Sequence, residues 1–248
     1  VLGSEDVIDA VKTQSLYAFT LRNNPINLDL WKYLWNASGG GADSPDSSLS
    51  FTYSYLLDGT EYYQHIRGCR PTSGTLSVSR GMWEQTMTFV AKDITIPNTT
   101  DGNGGTPVYQ STETSSSPIV HSDGGADPFT YNSVAYGERS FSTTVTRNMA
   151  VMAVNGETDI TYTKATDRSI TFTADVFAGT TSSETALYTL YESKDADAAS
   201  YKFNSTGPIT LTYANCVLTD YSYTHAAGST DALIESITAR AESVTDLS

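Results

Sequence analysis

The feature that most restricts how this chain folds is a pair of segments, far apart in the sequence, that share one pattern. The first begins at Cys69 and reaches Gly81, and the second begins at Cys216 and reaches Gly228, so aligning the cysteines also aligns the glycines. In both segments apolar and polar residues alternate before the glycine and again after it. Alternation with a period of two around a glycine turn predicts a β-hairpin. We therefore expect two related β units.

The residues around each hairpin extend the repeat. If the second turn is one residue longer than the first, residues 89–92 align with residues 237–240. Further strands are predicted at 16–21, 50–56 and 61–66 in the first unit and at 140–147, 159–164, 169–177 and 209–213 in the second. Turns are predicted at 58–59 and 165–168, with an apolar connection at 149–154.

One helix is predicted in each unit. In the first, apolar residues recur at helical spacing at Leu28, Trp31, Leu34 and Trp35. Asn27 is its expected N-cap, and the glycines at 39–41 end it. In the second, Ser183 is the expected cap and Leu187, Leu190 and Tyr191 line one face. We expect the tryptophans to fill the groove between helix and sheet rather than to form a carbohydrate-stacking platform.

The order strand, helix, strand, hairpin thus occurs twice, which predicts a mainly β chain with two tandem units. We place the first unit at residues 1–97 and the second at residues 128–248. Residues 98–127 between them are rich in Gly, Ser and Asp, and such a stretch is too long for a simple turn. It is predicted to be a linker or a contact arm.

The charge balance is strongly acidic, with 28 Asp and Glu against 14 Lys and Arg. Binding of nucleic acid by phosphate neutralisation needs a concentrated basic face, so this composition argues against it. An excess of Asp with little Lys is also a pattern of proteins from salt-loving organisms. No apolar run has the length of a membrane-spanning helix, and no signal peptide is visible at the start.

The sequence contains no recognisable catalytic or metal-binding set. The histidines at 65, 121 and 225 have no paired spacing, and Asp195 and Asp197 form an isolated acidic pair. We therefore expect no enzyme activity, no cofactor and no metal. Asn36, Asn98 and Asn204 begin glycan-acceptor triplets, which a chain rich in Ser and Thr also produces by chance. The two cysteines are expected to be buried thiols rather than a disulfide.

A resemblance to a known family rests on two segments. Residues 68–93, with Gly-Cys-Arg-Pro-Thr-Ser, Leu-Ser-Val and Thr-Phe-Val-Ala-Lys-Asp, and residues 211–241 resemble the tail tube proteins of long-tailed viruses. The segments 128–131 and 141–148 are similar to the strand that opens such domains. The resemblance implies that each unit is a β-sandwich or barrel with one flanking helix. It also implies rings that stack into a tube through which viral DNA passes without specific binding.

In this family a duplicated chain implies three subunits in a pseudo-six-fold ring, with other tail proteins at the tube ends. The virion tail, assembled in the host cytoplasm, is then the expected location. The candidate polar face, lining the lumen, consists of Thr75, Ser77, Ser79, Thr86, Thr88, Ser222, Thr224, Ser236 and Thr238. The candidate contacts between rings are Glu5, Asp6, Asp43, Asp46, Asp101, Asp123, Asp195 and Asp197. Leu76, Val78 and Phe89 are expected to face the core.

Two alternative functions are compatible with the residues alone. The chain's 16 tyrosines and 3 tryptophans suit an extracellular carbohydrate-binding β-sandwich, which would display exposed coplanar aromatic rings. Another virion part, such as a decoration protein or a tail terminator, would form single rings or trimers without polymerising.

Overall fold

The computed structural model describes residues 17–25, 28–35, 47–79, 81–95, 119–120, 127–152, 162–177, 184–203, 210–224 and 233–246. The first part contains β1 (Tyr17–Asn23), α1 (Asp29–Trp35), β2 (Leu49–Leu57), β3 (Thr60–Val78), β4 (Glu84–Ala91) and β5 (Asp93–Ile94). The second contains β6 (Phe129–Tyr131), β7 (Val134–Tyr136), β8 (Glu138–Met152), β9 (Tyr162–Phe177), α2 (Glu184–Ser193), β10 (Asp197–Lys202), β11 (Thr210–Thr224), β12 (Ile234–Ala241) and β13 (Ser243–Asp246). The mainly β prediction, with one helix in each unit, is confirmed.

Seven of these strands form the main antiparallel ladder, in the order β1-β4-β3-β8-β9-β12-β11. Strands β2 and β5 pair with the N-terminal half of β3, and β10 and β13 pair with the N-terminal half of β11. Strands β6 and β7 extend the pairing outward from β10. Since β3 and β11 each take part in two ladders, they connect the main ladder to the strands that cover its core face.

The internal repeat is present in the backbone itself. A β-bulge interrupts the pairing of β3 with β4 between Pro71 and Ser73, and another interrupts β11 with β12 between Leu218 and Asp220. These two positions coincide when the two cysteines are aligned. The order of elements matches β1 with β9, α1 with α2, β2 with β10, β3 with β11, β4 with β12 and β5 with β13. Strands β6, β7 and β8 have no counterpart within the described part of the first unit.

The predicted alignment of the return strands was wrong by two residues. Phe89 pairs with Pro71, and Ala239 pairs with Leu218, so Phe89 corresponds to Ala239 rather than to Ile237. The second connection is accordingly three residues longer than the first, not one. A shift of two residues keeps every side chain on the same face of a strand, so the alternating pattern does not reveal the error.

The predicted turn at 165–168 was also wrong, because β9 runs through it without a break. The turn-forming residues instead make a bulge opposite β8, where the pairing shifts between Arg147 and Met149. Asn148 Nδ2 donates to the Asp167 carboxylate at 3.1 Å, and Thr166 Oγ1 donates to the Asn148 carbonyl at 3.1 Å. The expected connection at 149–154 is likewise strand as far as Met152.

A single hydrophobic cluster holds buried residues of both units. The Trp83 ring, from the first unit, lies 4.3 Å from the Phe203 ring and 5.1 Å from the Tyr201 ring of the second. Arg147 on β8 donates from Nε and Nη2 to the Leu34 carbonyl at the end of α1, at 3.0 and 2.8 Å. That contact satisfies a carbonyl that the helix itself leaves unpaired.

Helix α1 packs on the main ladder through its tryptophans, as predicted. Trp31, Leu34 and Trp35 are buried, and Trp31 Nε1 donates to Gln85 Oε1 at 2.8 Å. The helix approaches the sheet where β3 has a glycine, Gly74, and a Cβ there would lie 2.9 Å from Leu34 Cδ2 and 2.9 Å from Trp31 Cη2. The Asn27 cap and the glycines at 39–41 lie outside the described residues.

We predict that Gly74→Ala lowers the free energy of unfolding by about 1–3 kcal/mol, because the added methyl group overpacks the interface between α1 and β3. Ser73→Ala, one residue earlier and half-buried on the other face, is the matched control and should change the stability little. Thermal unfolding followed by circular dichroism measures both. Equal melting temperatures for the two variants would contradict this account of the packing.

Candidate functional site: the hydroxyl face of the main ladder

The main ladder has one face on the core and one face covered with hydroxyl groups. In β3, the buried residues Gly74, Leu76 and Val78 alternate with the half-buried Thr75 and Ser77, as expected for a strand with one face on a core. We call the second surface the hydroxyl face. It consists of Thr20, Ser73, Thr75, Ser77, Thr86, Thr88, Ser140, Ser142, Thr144, Thr146, Ser169, Thr171, Thr173, Ser222, Thr224, Ser236 and Thr238.

Strand pairing places these hydroxyls in rows across the ladder. One row crosses six strands through Glu84, Ser77, Ser142, Thr173, Thr238 and Asp220. Directly paired hydroxyls bond to one another, with Oγ1 atoms 3.1 Å apart for Thr75 and Thr144 and 3.4 Å apart for Thr20 and Thr88. Such cross-strand pairs stabilise a sheet modestly. Both repeats therefore contribute to one continuous polar surface.

Charges on this face are few and partly paired with neighbours. Arg22 Nη2 lies 2.9 Å from Glu84 Oε2, and both side chains are largely exposed, so the pair adds little stability. The Asp175 carboxylate accepts hydrogen bonds from Ser140 Oγ at 2.8 Å and from Ser236 Oγ at 2.6 Å. The surface thus offers hydroxyls throughout and isolated charges only.

Eight of the nine residues predicted for the polar face lie on it, and Ser79 is exposed just after the end of β3. Leu76, Val78 and Phe89 are buried in the core, as predicted. Sequence reasoning did not assign the hydroxyls of β8 and β9 to this face, although both segments were predicted as strands. The missing information was the strand order, since β8 lies between β3 and β9.

The predicted ring contacts fall mostly outside the described residues, which exclude Glu5, Asp6, Asp43, Asp46, Asp101 and Asp123. Of the remaining two, Asp195 is exposed just after α2 and Asp197 begins β10. The three glycan-acceptor asparagines, Asn36, Asn98 and Asn204, also lie outside the described residues, as do His121 and His225.

The ionisable groups on the core side have structural partners. Tyr201 OH donates to the buried Glu138 carboxylate. Burial is the main cause that raises the pKa of Tyr201 far above its usual value, and the neighbouring Glu138 charge adds to it. His65 is buried, and its Nδ1 lies 3.0 Å from Thr52 Oγ1. Within the described ranges, no group of three or more His, Cys, Asp or Glu side chains is arranged to hold a metal ion.

A hydroxyl-covered face that spans seven strands and carries no assembled reactive groups suits a wall better than a catalytic pocket. The family model described as phage tail tube protein matches residues 17–241. The chain belongs to the phage tail tube protein family. Its role is therefore structural, as a component of the virion tail.

The other comparisons add little to this assignment. The solved structure of Hcp1 from Flavobacterium johnsoniae is 17% identical, covers 48% of this chain and 92% of that chain, and has a TM-score of 0.31. No curated protein matches the chain. Neither helix of the described structure is long and apolar enough to cross a bilayer.

Both cysteines of this tail tube protein are buried free thiols at equivalent positions of the repeat. Burial raises the pKa of Cys69 to about 11 and that of Cys216 to about 12. At pH 8, a thiol with the lower of these values is ionised in about one molecule in a thousand. Because the thiolate is the nucleophile, both residues should be inert in the folded chain.

We predict that a maleimide or disulfide reagent at pH 8 leaves both thiols unmodified in the native protein and modifies two per chain in guanidinium chloride. Thr173→Cys, on the hydroxyl face, supplies an exposed thiol as the control and should react at once. Rapid modification of native Cys69 or Cys216, measured by intact mass, would contradict the burial described above.

Proposed function

We propose that three copies of this chain close a pseudo-six-fold ring, that rings stack into the tail tube, and that the hydroxyl face lines its channel. The observation that carries the proposal is the continuity of this face across strands of both repeats. Helices α1 and α2 pack against the opposite face, through β3 and β11, which leaves the hydroxyl face uncovered by either helix.

The two ends of the main ladder support ring closure. Among the described strands, β1 pairs only with β4, and the C-terminal half of β11 pairs only with β12. Each end therefore presents backbone N–H and C=O groups without a strand partner, which favours pairing with another chain. Contact between the two different ends of neighbouring copies is heterologous, and such contacts close into a ring when the rotation per copy allows it.

The stoichiometry follows from the repeat. Strands β1, β4 and β3 of the first unit correspond to β9, β12 and β11 of the second, so each chain supplies two similar wall segments. Three chains then give six such segments around the channel. The ring is three-fold in strict symmetry, because β6, β7 and β8 distinguish the two units.

The chemistry of the wall suits passage of DNA without binding. A protein that holds DNA neutralises phosphates with clustered Lys and Arg, and this face carries hydroxyls with isolated charges instead. The net charge of −14 adds general repulsion of a polyanion. DNA is therefore expected to slide through the channel during genome ejection.

The remaining parts of the proposal rest on composition and on the family. The protein acts without enzymatic activity, assembles in the host cytoplasm and meets other tail proteins at the tube ends. The acidic loops, including Asp195 and Asp197, are proposed to lie between rings. The acidic excess fits a virus of a salt-loving host, where concentrated salt screens repulsion between copies.

Negative-stain electron microscopy across salt concentrations tests the assembly. We expect hollow stacked rings with three-fold symmetry, and more of them as salt rises towards about 1 M, since screening of the acidic surfaces is then strongest. Strict six-fold rings would overturn the stoichiometry. Single trimers or monomers at every salt concentration would instead favour a decoration or terminator role.

Thiol labelling tests which face lines the channel. Thr173→Cys places a thiol on the hydroxyl face, and Thr189→Cys places one on the exposed surface of α2. We expect a large polyethylene-glycol maleimide to modify both in dissociated protein, but only the α2 variant in long tubes. Equal labelling of the two variants in tubes would show that the hydroxyl face lies outside.

A further inference from the structure

The hairpin of β2 and β3 carries apolar side chains that the rest of the described chain does not cover. Tyr53 is 58% exposed, Leu56 72% and Leu57 55%. We call these three residues the tip. Extended apolar surface of this kind on a soluble protein usually marks an interaction site. The tip lies far from the hydroxyl face in the fold, so lining the channel does not account for it.

The hairpin is an ordered extension of the core. Phe51 anchors it, with its ring 5.4 Å from that of Phe19 and 5.1 Å from that of Phe89. Beyond Phe51 the aromatic stripe continues through Tyr53 and Tyr55, whose rings lie 5.7 Å apart. Six further residues at about 3.3 Å each carry the hairpin about 20 Å past this anchor.

The turn of the hairpin closes it tightly. Asp58 and Gly59 both have positive φ angles, 50° and 79°. A two-residue turn of this kind matches the twist of the flanking strands. Tyr55 and Tyr62, paired across the strands, stack with their ring centres 5.7 Å apart. An isolated hairpin is only marginally stable in water, so a built projection of this kind is suited to a partner.

The second unit shows how the same element looks when it is covered. Strand β10, the counterpart of β2, is flanked by β6, whereas β2 pairs only with β3 among the described strands. The aromatic residues of the β10–β11 pair, Tyr201 and Tyr213, are fully buried. The first unit thus keeps exposed what the second unit packs within the chain.

The opposite end of the main ladder exposes a second apolar set. Strands β3, β9 and β11 run in the same direction, because each is separated from the next by an odd number of antiparallel partners. Their C-terminal ends therefore lie together, while the tip lies at the N-terminal end of β3. At the C-terminal ends, Met82 is 53% exposed, Phe177 39% and Tyr223 66%. We call these three residues the rim.

We propose that the tip of one copy docks on the rim of a copy in the next ring. The contact joins two different surfaces at opposite ends of the molecule, so it repeats indefinitely in one direction, as a tube requires. Copies with a net charge of −14 repel one another, and apolar contacts supply attraction that this charge does not. This inference rests on the proposed stacking of rings and names the residues that hold one ring to the next.

Paired serine substitutions test the contact without changing charge. The tip variant is Leu56→Ser with Leu57→Ser, and the rim variant is Phe177→Ser with Tyr223→Ser. Each should form rings that do not elongate, with tube length in electron micrographs reduced at least tenfold. The control, Val134→Ser with Tyr188→Ser, removes exposed apolar residues outside both sets and should form tubes like the unaltered protein.

Mixing the two variants tests the direction of the contact. A rim-variant ring keeps a good tip and a tip-variant ring keeps a good rim, so an equal mixture should give pairs of rings and no tubes. Pairs formed by the rim variant alone would show tip-to-tip contact and overturn the proposal. Tubes of normal length from the tip variant would overturn it while leaving the stacked-ring function intact. If the unaltered protein forms no rings, the proposed function and this inference both fail.

Discussion

The structure depends on the double pairing of strand β8. On one side β8 pairs with β3 of the first unit, from Phe141 to Thr146, and on the other side it pairs with β9 of the second. Without it the two repeats would be separate three-stranded ladders, each with additional open edges. With it, they become one seven-stranded surface whose hydroxyls lie in continuous rows. The tube-wall role therefore depends on a strand that the repeat does not duplicate.

The core reinforces what this strand begins. Trp83 from the first unit packs among Tyr201 and Phe203 of the second, and Arg147 on β8 holds the end of α1 through the Leu34 carbonyl. These contacts fix the angle between the two repeats. In a ring of three chains, this internal junction is the one that assembly does not have to form. The junctions between chains then carry the whole cost of closing the ring.

Sequence reasoning found much of this protein because its strands alternate so regularly. Burial of Leu76, Val78 and Phe89 follows from parity along the strand, and so do the outward positions of Thr75 and Thr88. The two-residue error in aligning the return strands preserved that parity, so it did not disturb the assignment of faces. The turn predicted at 165–168 failed because pairing with β8 outweighed local turn preference and converted it to a bulge.

The sequence by itself determined the class of fold, the repeat, the helices and the side of each strand that is buried, because these depend on local periodicity. The tertiary structure decided the strand order, the position of β8, and which apolar side chains remain exposed. Strand order arises from pairing between residues far apart in the chain, and many Ser- and Thr-rich strands are interchangeable by pattern. Tyr53 and Tyr201 lie on matching strands of the repeat, yet only the packing of neighbouring strands makes one exposed and the other buried.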